Sequence, residues 1–464
     1  MRYDRRRIIL YRQHRFEIMH SALTVSVNFR GALRIASLLS LSLLFAACGP
    51  REDAASAPCH ADSACRGSRI CHEGRCRFEE EVRRELELGG ATEPDASGTI
   101  DLSGEDDPAL DPEHPDFVES ALFTPTERQF MGGPTHSGQS PHAGPIEPPS
   151  ARFTIRTGGR ITASPILAED GTAFVGSLDR HFFAVSPEGK LRFRHRASGR
   201  VYASAAAMKD GTIVFGTDDG FITALTPLGQ TLFRVRVKGS ILSSVTLDEH
   251  ENILVAADGI FAFDREGQAL FHYETASQVR SAPTVHPAGM ILFGTVEGTV
   301  VALDAEGRLL FETAVGSSVI GGVAVARDGS FFVGTALGHL VGMDERGREI
   351  MRFAAGAEIR GTPAISPDGT ILIGSYDQHV YGVERDGSLR FRFAANGRVR
   401  SSIRVDAEGR AYFGAQDGFL YAIDSEGGLL FRVNIGADVD TSPAIAADGT
   451  LYLGADDGVL HALR

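Results

Sequence analysis

The feature that most constrains this chain is a repeat. The phrase Asp170-Gly171-Thr172 returns as Asp210-Gly211-Thr212, Asp328-Gly329-Ser330, Asp368-Gly369-Thr370 and Asp448-Gly449-Thr450. Weaker copies stand at His250-Glu251-Asn252, Ala288-Gly289-Met290 and Glu408-Gly409-Arg410. Successive copies are 40, 40, 38, 40, 40, 40 and 40 residues apart. The short step has a local cause. The stretch Gly216-Thr217-Asp218-Asp219-Gly220 is cut to Ala256-Ala257-Asp258-Gly259 in the third copy, and the missing residues fall in a turn. A fixed period of this length marks units that stack, because one unit cannot cover both of its faces alone.

Each copy holds four short strand signals. In the first they are Ile161–Leu167, Thr172–Gly176, Phe182–Ser186 and Leu191–His195. Turns rich in Gly, Asp and Pro separate them, and no segment keeps a helical period. Such runs read as antiparallel strands, and Asp-Gly suits tight hairpins because Gly accepts positive φ. Four strands every forty residues predict propeller blades. The expected fold is therefore all-β, an eight-bladed β-propeller of four-stranded antiparallel blades. The last copy ends after its third strand, Val459–Leu463, while an orphan fourth-strand sequence, Arg152-Phe153-Thr154-Ile155, precedes the first. Residues 152–156 are thus expected to complete the eighth blade and hide its edge. Phe153, Phe193, Phe233, Phe271, Phe311, Phe391 and Phe431 share one position of the outer strand, with Met351 in the fifth blade. They read as wedges between blades, not as a cofactor stack.

The repeat resembles the pyrroloquinoline-quinone-type propeller family. Its docking motif runs roughly Ala-x-Asp-x-x-x-Gly-x-x-x-Trp. Here Ala302-Leu303-Asp304 leads to Phe311, and Ala422-Ile423-Asp424 leads to Phe431, with Phe for Trp and a spacing one shorter. Residues 130–141, from Phe130-Met131-Gly132-Gly133 through His136 to Pro141, resemble the lead-in of secreted members. The resemblance covers about residues 129–464. It implies the fold and leaves activity open, since dehydrogenases, sensors and outer-membrane assembly lipoproteins share the repeat.

The N-terminus reads as an address. Residues 35–47 form an uncharged apolar run flanked by Arg30 and Arg34. Thirteen residues are too few to span a membrane, which takes about 20, but suit the core of a secretory signal. Residues 1–47 are therefore read as a signal peptide, with Met19 a candidate true start. The run closes Leu44-Phe45-Ala46-Ala47-Cys48, which resembles a bacterial lipobox and implies lipidation of Cys48. The other four cysteines, Cys59, Cys65, Cys71 and Cys76, lack the close pairs of zinc sites. Exported thiols oxidise, so residues 48–78 are expected to form a two-disulfide module of open connectivity. Residues 79–128 are acidic and rich in Pro and Gly, and read as a disordered tether. Residues 129–464 form the propeller.

Net charge is -14, with no basic stretch beyond the first 78 residues, so nucleic acid is not an expected partner. The chain has no Trp and no Cys after Cys76. The quinoprotein dehydrogenases use a Trp floor, vicinal cysteines and calcium ligands, so no cofactor is expected. No Gly-x-Ser-x-Gly, His-Glu-x-x-His or phosphate-loop motif occurs, and no catalytic residue is assigned. The Asp-Gly turns read as self-capping turns, and His181, His339, His379 and His461 sit in different blades, so no metal site is expected. One set of positions varies inside a constant frame. Where the innermost strand begins, the eight blades carry Arg160, Arg200, Ser240, Gln278, Ser318, Glu358, Arg398 and Asp438. Two residues on they carry Thr162, Tyr202, Leu242, Arg280, Ile320, Arg360, Arg400 and Asp440. Ile or Val always stands between. These positions should ring the channel mouth, and Arg160, Arg200, Tyr202, Arg280, Arg360, Arg398 and Arg400 are the candidate ligand residues. Arginine favours planar anions. The competing expectation is a rim of internal Arg–Asp pairs, such as Arg400 with Asp440. The functional expectation is a non-enzymatic scaffold lipoprotein of the bacterial cell envelope, most naturally at the outer membrane, binding a protein or anionic ligand. The alternative is an enzyme (oxidoreductase, hydrolase or lyase) using the same funnel.

Overall fold

The computed structural model describes residues 69–72, 75–78, 99–103 and 127–464. Cys48, Cys59 and Cys65 and the signal segment lie outside them. In the N-terminal unit, strands Arg69–His72 and Arg75–Phe78 pair antiparallel, with Cys71 opposite Cys76 in register.

The remainder is an eight-bladed propeller. The first blade consists of Ile166–Leu167, Ala173–Gly176, His181–Val185 and Leu191–Arg196, hydrogen-bonded in chain order from the axis outward. Six further blades repeat this order. The eighth takes Ala444–Ile445, Leu451–Gly454 and Val459–Leu463 from the end of the chain, and Ala151–Arg156 from before the first blade as its outer strand. The ring is closed by that pairing. Apart from the one-turn 3-10 segment Phe130–Gly132, the described residues contain no helix.

Local chemistry makes the turns. The Asp170 carboxylate accepts the Thr172 amide at 2.9 Å while Gly171 takes φ +82°. Asp210, Asp368 and Asp448 repeat the bond. Between blades, six of the seven outer-strand phenylalanines, all but Phe431, lie against a glycine of the following blade. A Cβ on Gly229 would sit 2.6 Å from the Phe193 ring, and one on Gly189 2.8 Å from Phe153. Both glycines also hold φ near +80°. The wedge and the turn therefore depend on the same missing side chain.

Two expectations need correction. The innermost strand, expected over 161–167, is laddered only at Ile166–Leu167. Its first residues bond sideways to the neighbouring blade instead, as Val201 N does to Ser177 O at 3.2 Å. The acidic stretch 79–128 is not tether throughout. Thr99–Asp101 adds a parallel fifth strand outside Ala151–Arg156, and Leu102 packs beneath it. Glu127 and Arg128 already bond to blades one and two. An exposed outer strand offers unpaired backbone groups that an extended segment can satisfy, whatever its composition.

Candidate functional site

A key and socket place the site residues. The second strand ends in glycine in all blades but the third, and the Ile or Val between the two variable positions of the next blade fills the space. A Cβ on Gly176 would sit 2.1 Å from Val201, one on Gly216 2.4 Å from Ile241, and one on Gly454 2.1 Å from Ile161. With that residue locked between blades, its two neighbours must face the channel and its rim. The packing thus forces the pattern seen in the sequence.

The result is a cavity of about 540 Å³ on the propeller axis. Its walls are Thr162, Tyr202, Leu242, Arg280, Ile320, Arg360, Arg400 and Asp440, one from each blade. Deeper lies a collar of small residues, tied blade to blade. Ser164 N donates to Ser204 Oγ, Thr362 N to Ser402 Oγ and Ser442 N to Ser164 Oγ, each at 2.9 Å. Five of the seven candidate residues line this cavity: Arg160, Tyr202, Arg280, Arg360 and Arg400. Arg200 instead borders a neighbouring depression with Asp179, His181 and Asp219. Arg398 lies over the Tyr376 ring, 5.4 Å from its centre.

The far end of the channel is closed by the lead-in. Residues 127–138 pass once around the axis and accept the amide of the second residue of seven innermost strands. The donors are Leu167, Ala207, Leu247, Val285, Val325, Ile365 and Val405; six meet main-chain carbonyls and Leu247 meets Gln129 Oε1. Phe130 supplies part of the cavity floor. His136 is fully buried between Thr246 and Thr284, at 3.2 and 2.9 Å, and burial lowers its pKa to about 3. The loop is locked by Glu127, whose carboxylate takes bonds from Arg404 and from Ser140 Oγ. No motif in the sequence marks this lock as such. A signal exists: Arg404 occupies a ladder position that holds Ile, Ala or Thr in the other blades.

Electrostatically the funnel is two-sided. Arg400 pairs with Asp440, Arg160 with Asp456 at 2.5 Å, and Arg360 with Glu358 at 2.6 Å. Burial, followed by the charge of Asp440, raises the pKa of Asp438 and of Asp456. No group of three His, Cys, Asp or Glu among the described residues could hold a metal ion. His181, His339 and His379 each open the third strand of their blade, but His461 lies within its strand and is buried. The donor set does not fit pyrroloquinoline quinone. A flat tricyclic quinone with calcium needs an aromatic platform and clustered oxygen ligands, whereas the collar here is hydroxyl and small side chains.

The family described as outer membrane protein assembly factor BamB matches residues 140–318 and 296–404. The fold is similar to the crystal structure of BamB from Moraxella catarrhalis, with 18% identity, TM-score 0.59, and coverage of 68% of this chain and 99% of that one. It is similar to a computationally designed protein, Ika8, with 19% identity, TM-score 0.58, and coverage of 66% and 96%. A europium-containing methanol dehydrogenase shares it at 13% identity, TM-score 0.60, and coverage of 71% and 90%. No curated protein sequence matches significantly.

Proposed function

We propose, because this chain belongs to the family of the outer membrane protein assembly factor BamB, that it is a non-enzymatic binding scaffold of the bacterial cell envelope, held at the outer membrane through a lipid on Cys48. The observation that carries this reading is the construction of the funnel. It is closed at one end by its own lead-in, and three of its arginines are held in place by carboxylates. Such a surface presents fixed charge and shape to a partner. It offers no nucleophile held by a base among the described residues. The fold alone does not separate scaffold from enzyme, since a methanol dehydrogenase shares it. The funnel residues Arg160, Arg200, Tyr202, Arg280, Arg360, Arg398 and Arg400 are the proposed contact set.

A photo-crosslinking residue placed at Ser240, inside the funnel, tests this in intact cells. The control position is Asp386, on an exposed turn at the plugged end. The reading expects a discrete envelope-protein adduct from position 240 and none from 386. Equal adducts from both positions, or none from either, would reject funnel docking.

A further inference from the structure

Arg280 differs from the other arginines that line the cavity. Arg160, Arg360 and Arg400 each face a carboxylate, Asp456, Glu358 and Asp440. Arg280 has no hydrogen-bond or ion-pair partner among the described residues, and it is exposed to the cavity. At its level the flanking blades carry Leu242 and Ile320, with Tyr202 beyond Leu242. The funnel is therefore divided. On blades six, seven, eight and one, the arginines that line the cavity are paired. On blades two to five, Leu242 and Ile320 flank Arg280, with Tyr202, Asp218 and the serines of blade three completing that side.

The same seam holds a second irregularity. Blade three is the blade with the shortened turn, and Ala256 stands where its neighbours have glycine. In blades seven and eight, Ser401 and Thr441 each exchange hydrogen bonds with that glycine, Gly414 and Gly454, at 2.8 and 3.0 Å. Their counterpart Ser243 is 6% exposed, lines the cavity, and its hydroxyl has no partner. A free guanidinium and an orphaned buried hydroxyl thus stand on adjacent blades, at the point where the repeat breaks its rule.

An unpaired guanidinium in a partly apolar cavity attracts an anion, and its planar fork matches a carboxylate. One positive charge balances one negative charge. A phosphate brings more charge than Arg280 can match, and would shed hydration against Leu242 and Ile320 without compensation. An apolar substituent on the anion, by contrast, gains from that wall. We infer that the funnel holds a monocarboxylate bearing an apolar group, with Arg280 on the carboxylate, Leu242 and Ile320 along the substituent, and Ser243 beside them. The inference rests on reading the funnel as a binding site, and narrows it to one side.

The probe is isocaproate, titrated into the full chain and followed by ligand-observed NMR, with its amide and inorganic phosphate as comparisons. Isocaproate should bind saturably, the amide should not, and phosphate should not displace the acid. Arg280→Gln should weaken binding about tenfold or more, the loss of a charge-assisted contact, with an unchanged melting temperature. Arg346→Gln, an equal charge change on an exposed turn, should bind as wild type does. Absence of saturable binding, equal binding of acid and amide, displacement by phosphate, or unchanged binding by Arg280→Gln would overturn the inference. The crosslink assay keeps the two readings apart. If isocaproate binds as expected but position 240 gives no adduct beyond that of position 386, the carboxylate site stands and funnel docking falls. If the adduct depends on the funnel while acid and amide bind alike, docking stands and the carboxylate site falls.

Discussion

Replacing Glu127 with Gln should unlock the plugged end of the channel. The Glu127 and Arg404 side chains are 5% and 3% exposed, and 277 residues apart in sequence. Their bond joins the start of the lead-in to the innermost strand of blade seven, after the lead-in has passed blades one to six. Glu127→Gln keeps the shape and removes the charge that the buried Arg404 guanidinium faces on the lead-in. Breaking one side of a buried pair costs about 3–5 kcal/mol. The chain has no Trp, so the assay is urea unfolding followed by far-ultraviolet circular dichroism, with hydrogen exchange at the Val285, Val325 and Val405 amides. Those three amides donate to the lead-in, and their protection should fall first. Substituting both partners together, Glu127→Leu with Arg404→Met, should recover most of the loss, because no charge is then stranded. Wild-type stability in Glu127→Gln would refute the reasoning. So would a double variant as unstable as the single one, since the effect would then lie in strap geometry and not in charge.

Three further expectations follow from the same physics. Cys48→Ser should move the protein from the membrane pellet to the soluble fraction, since lipid chains contribute about 0.8 kcal/mol per buried CH₂; retention in the pellet would reject the anchor. His461 is buried without a hydrogen-bond partner among the described residues, and burial lowers its pKa to about 4. The unfolded imidazole takes a proton below about pH 6.5 and the native one does not, so stability present above pH 6.5 is lost as pH falls toward 4. His461→Leu should therefore remove about 2 kcal/mol of the loss between pH 7.5 and 5, read from urea midpoints; an unchanged pH dependence would show that His461 is not buried neutral. Arg400→Ala should lower the melting temperature, because the Asp440 side chain is 4% exposed and would keep only the Gln416 amide, whereas Arg280→Ala should not; equal melting of the two would place Arg400 among the unpaired cations.

Much of this was legible in the chain itself. The forty-residue period, the Asp-Gly turns and the unmatched strand at Arg152–Ile155 determine blade count, hairpins and ring closure, because each rests on local backbone chemistry or on a missing element. The alternation around Ile161, Val201 and Ile241 likewise located the funnel positions, since a residue locked between blades leaves its neighbours one direction to point. Tertiary structure decided the rest. For two of the three paired funnel arginines the carboxylate comes from another blade, as Asp456 does to Arg160 across 296 positions, while Arg360 takes Glu358 from its own. The plug depends on amides of seven blades converging on one segment, and nothing within residues 127–142 announces that convergence. The parallel strand at Thr99–Asp101 defied its acidic surroundings because an open blade edge supplied the missing partners. Periodicity encodes what each unit does with its neighbours in sequence. It cannot encode which charges meet across the axis, because those distances exist only once the ring has closed.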